Sequence, residues 1–187
     1  QAGYDYGHNT HSSAMNVYRI ESKQKEPGRY MDITGNKATA YGFIAAAEKA
    51  GLKLYLGSYP ITPATDVLHE LSKHKSLGVT TVQCEDEIAG CSSAVGASFA
   101  GALAVTSTSG PGICLKSEAM NLAVIMELPL VVLDVQRGGP ATGLPTKSEQ
   151  TDLLQVLFGR NGESPMPVIA ATSPVDCFDA AFQASKI

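Results

Sequence analysis

The fold class this sequence predicts is α/β: a three-layer α/β/α domain with a mainly parallel sheet. Three observations predict it. Short apolar, β-branched runs alternate with helical patterns at least four times, which is the order of a parallel sheet with helices on both faces. Gly and Pro bound nearly every run. The 187 residues, 44% apolar and 17% charged, suit one folded domain with a sizeable core.

Residues 1–30 show no clear period and are rich in Asn, Ser, His, Lys and Glu, so they read as a linker or the tail of a preceding domain. His8 and His11 lie there without Cys or acidic partners at ligand spacing, and a solvated loop is expected for both. Regular structure begins at Asn36, a candidate cap. Ala40, Phe43, Ile44 and Ala47 then recur at helical spacing up to Gly51. A strand is expected at 52–56, stopped by Gly57 and Pro60. Pro63 and Thr65 open a helix to about Lys75 that turns Val67, Leu68 and Leu71 inward. Residues 79–84 form the second strand, with Thr80, Thr81 and Val82 as its β-branched centre.

The next helix, 86–100, is almost all Ala, Gly, Ser and Val, and can approach a neighbour or ligand very closely. A third strand at 102–107 turns at Ser109-Gly110-Pro111-Gly112 into a helix reaching about Met126. A fourth strand covers 129–135, a Gly/Pro-rich loop 137–145, and a polar amphipathic helix 148–158. The last expected strand is 168–171, and Pro174 starts the final helix. The chain starts at Gln1 rather than Met, and 176–187 reads as a helix without its cap. An excised piece of a longer polypeptide is therefore expected.

The bulk numbers narrow the function. A net charge of −4 offers no basic stripe, which argues against nucleic acid. No apolar run reaches spanning length, and the first residues lack a signal-peptide layout, so no membrane partner is expected. Cys84, Cys91, Cys114 and Cys177 have no CxxC spacing, which favours free thiols in a reduced compartment, by default the cytoplasm, over a metal or iron–sulfur site.

Chemistry gathers between Tyr59 and Arg137. YPITP (59–63), EDEIA (85–89), SGPG (109–112) and RGGP (137–140) each fall where a strand gives way to the next segment. In an open parallel sheet that edge is where ligands bind. The two prolines fix the backbone around the Thr62 hydroxyl, although the motif equally reads as a loop leading into a helix. Glu85, Asp86 and Glu87 open a helix, where any carboxylate complements free N–H groups and the dipole. The company of Thr62 and Arg137 on the same rim tips Glu87 towards proton exchange. Arg137, among glycines, is either an exposed surface arginine or a fork for a planar carboxylate. The SGPG turn matches neither GxGxxG nor GxxxxGK[ST], so a tight turn against a bound ring competes with an anion cradle.

In this order YPITP, EDEIA, TSTSGPG and VQRGGPATGLPT strongly resemble the alpha subunit of 2-oxoacid:ferredoxin oxidoreductases, most of all the 2-oxoglutarate and branched-chain type. The resemblance runs from about Ile33 to the C-terminus. It implies that residues 31–187 are the pyrimidine-binding domain of the thiamine diphosphate-binding fold, cut short at its C-terminus. It also implies that 1–30 follow a gamma-type domain. Glu87 would be the catalytic, cofactor-contacting glutamate, because Glu87 and Gly96 satisfy the family's E-x₈-G spacing where Glu85 and Asp86 do not. Tyr59 and Pro60 would line the cofactor, while Thr62 and Arg137 would bind the substrate's oxygens and carboxylate. The implied activity is oxidative decarboxylation of a 2-oxo acid, with 2-oxoglutarate leading, to acyl-coenzyme A and carbon dioxide, with electrons passing to ferredoxin. A non-redox thiamine diphosphate decarboxylase or synthase, and a non-catalytic assembly domain, are the competing readings. No GDG…N motif and no cluster cysteines are present. Magnesium and iron–sulfur centres would therefore belong to partner subunits, a beta subunit among them, in a dimer of heteromers. This piece alone should be inactive. Ala64 stands where many relatives carry Ser, which loosens claims about contacts beyond Thr62.

Overall fold

A computed structural model describes residues 1–10, 18, 20, 21 and 26–187. The chain divides into two compact units, Gln1–Asp32 and Ile33–Ile187. In the first, helix α1 (Ala2–Thr10) forms where no period was expected. It buries none of its residues, so there is no apolar stripe to read. Local pairs hold it instead, with Gln1 Nε2 donating to Asp5 Oδ1 at 3.0 Å and the His8 ring stacked on Tyr4. His8 thus sits on a helix rather than a loop, and His11 lies outside the described residues.

The second unit begins with α2 (Gly35–Ala50). Its cap is Thr34, whose hydroxyl accepts from the Lys37 N–H, while the side chain of Asn36 donates instead to the Pro63 carbonyl. Gly51 ends the helix at φ 68°, the left-handed conformation that glycine adopts without strain. There follow β1 (Leu54–Ser58), α3 (Thr65–Leu71) with a 3₁₀ extension (Ser72–Leu77), and β2 (Val79–Gln83). Next come α4 (Glu87–Phe99), β3 (Leu103–Thr108), α5 (Gly110–Ile125) and β4 (Val131–Asp134). The chain closes with α6 (Leu153–Phe158) and α7 (Pro174–Ala184).

All strand pairs are parallel, in the order β2-β1-β3-β4. From β1 the chain steps one way to β2, and from β2 it crosses back past β1 to β3. Right-handed crossovers in opposite directions put their helices on opposite faces. The core confirms this. Leu54, Leu56, Val79 and Val105 pack with α2, α3 and Ala181 of α7, while Cys91 of α4, Ala119 and Met120 of α5 and Val132 form the other cluster. Alternation along each strand divides the faces, as Val131 and Leu133 join the first cluster and Val132 the second. The small-residue helix α4 packs against the sheet at Gly57. A Cβ there would strike the Gly90 carbonyl and the Ser93 hydroxyl, so this layer closes only on glycine.

Two expectations need correction. Residues 168–171 form no strand; Val168 and Ile169 remain exposed, since β-branched residues make a strand only where a partner edge receives them. The helix expected over 148–158 is just the six residues of α6, because Asp152 is held by Gln136, whose Oε1 accepts its N–H at 3.0 Å.

Candidate functional site

The strand order reverses between β1 and β3, and their C-terminal ends define the crevice where open α/β sheets bind ligands. Polar side chains line that point. The hydroxyls of Ser58 and Ser107 lie 2.7 Å apart, and those of Tyr59 and Thr108 2.8 Å apart. Ser58, Ser107, Thr108 and Ser109 are all essentially without solvent contact. Among the described residues the buried Ser109 hydroxyl has no partner, although the residue stands at the N-cap of α5 and an N-cap serine ordinarily bonds its own helix.

Gly112, in the first turn of α5, forms the floor. A Cβ there would collide with Thr108 Oγ1 and the Tyr59 hydroxyl, and would come 3.1 Å from Glu87 Cγ. Three side chains from three strand ends thus converge on one glycine. Glu87 begins α4, capped by Asp86, whose Oδ1 accepts from the Ala89 N–H at 2.8 Å. Asp86 therefore does the helix-capping work and Glu87, half-buried, faces Tyr59. Burial pushes the Tyr59 phenol far above its usual range; the hydrogen bond with Thr108 pulls it back, and the neighbouring Glu87 carboxylate adds to the rise.

Thr62 and Arg137 also meet. One terminal nitrogen of Arg137 donates to the Thr62 carbonyl at 2.7 Å and the other to the Thr142 carbonyl at 3.0 Å. Arg137 is therefore not an exposed surface arginine: 7% exposed, it is a staple that joins the 59–63 loop to its own loop. It is not saturated. Among the described residues two of the five N–H donors of its guanidinium find acceptors, and Nε is buried without one. Thr62, Pro63, Gln136, Arg137, Thr146 and Lys147 help to line a cavity of about 260 Å³. Pro60 is exposed at the outer lip.

Sequence reasoning missed two features. Lys116 is entirely buried beneath the crevice, donating to Thr106 Oγ1 at 2.6 Å and to the Ser107 carbonyl at 3.0 Å. Its signal was legible: Ile113, Lys116, Ala119, Met120 and Ala123 share one helical face, so a lysine stands in an apolar stripe. The other is a carboxyl pair, Asp134 at the end of β4 and Asp152 before α6. Burial and the Asp152 carboxylate push Asp134 up to about 8, and among the described residues each acid keeps one buried oxygen without a partner. Asp152 also covers the start of α5, since a Cβ on Gly110 would lie 2.6 Å from both of its carboxylate oxygens. The place an anion would take at this helix end is filled by the protein's own carboxylate, which weighs against the anion-cradle reading of SGPG. Nothing in the sequence pairs residues 134 and 152.

Residues 45–187 match the family described as pyruvate flavodoxin/ferredoxin oxidoreductase, thiamine diphosphate-binding. The chain is 59% identical over its whole length to the 2-oxoglutarate oxidoreductase subunit KorA of Mycobacterium tuberculosis, of which it spans 28%. It is 42% identical over 156 residues to the 2-oxoglutarate synthase subunit KorA of Archaeoglobus fulgidus, covering 83% of this chain and 44% of that one. Among solved structures it resembles the 2-oxoglutarate:ferredoxin oxidoreductase from Magnetococcus marinus with 2-oxoglutarate, coenzyme A and succinyl-CoA bound. The identity there is 38% and the TM-score 0.81, over 98% of this chain and 32% of that one. The chain thus spans less than half the length of each of these relatives.

Proposed function

We propose a function on one premise: the chain belongs to the thiamine diphosphate-binding family of pyruvate flavodoxin/ferredoxin oxidoreductases. It supplies the pyrimidine-binding part of the alpha subunit of a 2-oxoacid:ferredoxin oxidoreductase, and 2-oxoglutarate is the substrate its relatives' names favour. The descriptions that name an oxidoreductase speak against a non-redox decarboxylase or synthase. Residues 31–187 would form that pyrimidine-binding domain and 1–30 a linker or the tail of a preceding gamma-type domain. A beta subunit, magnesium and iron–sulfur centres would complete the assembly, as a dimer of heteromers in the cytoplasm.

One observation carries the reading. Tyr59, Thr108 and Glu87 close around the Cβ-free floor of Gly112, next to an arginine that joins the Thr62 loop. The fit to thiamine diphosphate rests on that cradle and on the orphaned Ser109 hydroxyl and Arg137 Nε. Tyr59, Pro60 and Glu87 would hold the pyrimidine. When bound, the cofactor supplies a carbon nucleophile and an electron sink for the bond to carbon dioxide.

The chain's own residues do the rest. Glu87, with its helix already capped by Asp86, is available to exchange a proton with a ring nitrogen. The Tyr59 hydroxyl stays protonated, so it donates a hydrogen bond and does not act as a base. Arg137 offers its remaining donors to a substrate carboxylate and the Thr62 hydroxyl meets the 2-oxo group, which orients the acid for cleavage. A charge-assisted contact of this kind is worth about 1.5–3 kcal/mol.

Substituting Glu87→Gln in the complex reconstituted with its beta-type partner tests the proposal. Viologen reduction by 2-oxoglutarate plus coenzyme A should fall at least about a hundredfold, in line with a lost acid–base group. Unchanged turnover would leave this domain a non-catalytic scaffold.

A further inference from the structure

A fully buried ammonium requires a reason. Lys116 has no solvent contact, and among the described residues no carboxylate lies within ion-pair distance of it. Its partners are neutral: the Thr106 hydroxyl, the Ser107 carbonyl and, 5.1 Å away, the face of the Tyr59 ring. A methionine would fill the same volume without the desolvation penalty, which for an unpaired ion amounts to several kcal/mol. The charge is therefore kept at a cost to stability, and its position indicates its use. Two of its three N–H groups grip β3, leaving the third for the ring. That ring carries the hydroxyl bonded to Thr108 and adjacent to Glu87.

We infer that Lys116 is a positioning residue: anchored on β3, its cation holds the Tyr59 ring by its π-face and so fixes the phenol hydroxyl against Glu87. This rests on the proposed role of Glu87. The hold requires charge, because a neutral amine loses the attraction to the ring quadrupole. Burial lowers the Lys116 ammonium to about 8, while Cys91 and Glu87 of α4 and Cys84 after β2 favour its charged form. Together with Tyr59 these are the titratable groups facing it, and burial raises both the Tyr59 phenol and the Cys91 thiol. The clamp should therefore release as pH rises through about 8.

The test uses the assembled complex with ring-¹³C tyrosine in this chain, as wild type, K116M and K116R, with Y59F to assign the Tyr59 resonance. In the wild type that resonance should move with a midpoint near pH 8, and turnover of 2-oxoglutarate should fall about thirtyfold across the same range, the size of one desolvated cation–π contact. K116M should lose the titration and stay about thirtyfold slow at every pH. K116R should keep the fast plateau beyond pH 9. A Tyr59 resonance that titrates alike in wild type and K116M overturns the inference, and so does a K116M pH profile matching the wild type. Should K116M fail to assemble, K116R decides, and an unmoved alkaline limb refutes the clamp. A Tyr59 titration without turnover of any 2-oxo acid would keep the clamp and overturn the proposed function instead.

Discussion

Gly112→Ala measures how tightly the crevice is built. The added methyl would enter the space of Thr108 Oγ1 and the Tyr59 hydroxyl, with Glu87 Cγ only 3.1 Å away. None of these can swing clear cheaply. Thr108 is fully buried on β3, Tyr59 is 5% exposed, and their hydroxyls hydrogen-bond each other at 2.8 Å. Overpacking a closed site costs about 1–3 kcal/mol. Separating the two buried hydroxyls adds about 1 kcal/mol. Alanine returns up to about 1 kcal/mol of helix propensity in α5. The net is about 2 kcal/mol of destabilisation, a fall of roughly 4–8 °C in Tm for a chain of this size. Thermal unfolding followed by circular dichroism reads it directly. A Gly112→Ala chain that melts within a degree of the wild type would show that Tyr59, Thr108 and Glu87 do not close on this glycine.

Gly96→Ala is the counterpart: its Cβ meets nothing within 4 Å in the interior of α4, so stability should hold or rise by about 0.5–1 kcal/mol, and Tm with it. If reconstituted activity nevertheless falls, the glycine of the E-x₈-G spacing serves a neighbour outside this chain; if Tm falls, the open space is misread. Arg137→Met removes both charge-assisted bonds and should cost about 3 kcal/mol, opening the loop roughly a hundredfold more often. Trypsin cleavage after Lys147 should accelerate accordingly, and an unchanged rate would refute the staple. The Asp134 carboxyl, raised from 3.8 to about 8 chiefly by burial, binds a proton on folding. Its contribution is complete below the unfolded value and is lost as pH rises towards about 8, at up to about 1.4 kcal/mol per pH unit. Urea unfolding should therefore show the wild type about 2 kcal/mol weaker at pH 8 than at pH 6, and Asp134→Asn nearly level. Equal slopes would place the proton elsewhere.

The difference between what was legible in the sequence and what was not lies in the range of the interactions. Strands and helices over 36–135 could be read because each is set by local pattern, so errors there stay at ends. Thr34 rather than Asn36 caps α2, and β1 runs to Ser58 because Gly57 and Ser58 pair with Val82 and Gln83 across the sheet. The rim could be read because each motif follows a strand, and in a parallel sheet the strand ends share one edge, which brings Tyr59, Glu87 and the SGPG turn to the same side. Side-chain partners chosen over long separations could not. Nothing local says that Arg137 reaches back to the Thr62 carbonyl, that Asp152 meets Asp134, or that Lys116 lies beneath Tyr59. Even so, Lys116 occupies an apolar stripe, which local periodicity does expose. A charged residue on the core face of a helix that starts at a sheet's switch point is therefore a candidate member of the site, because its desolvation costs stability that an apolar residue would not.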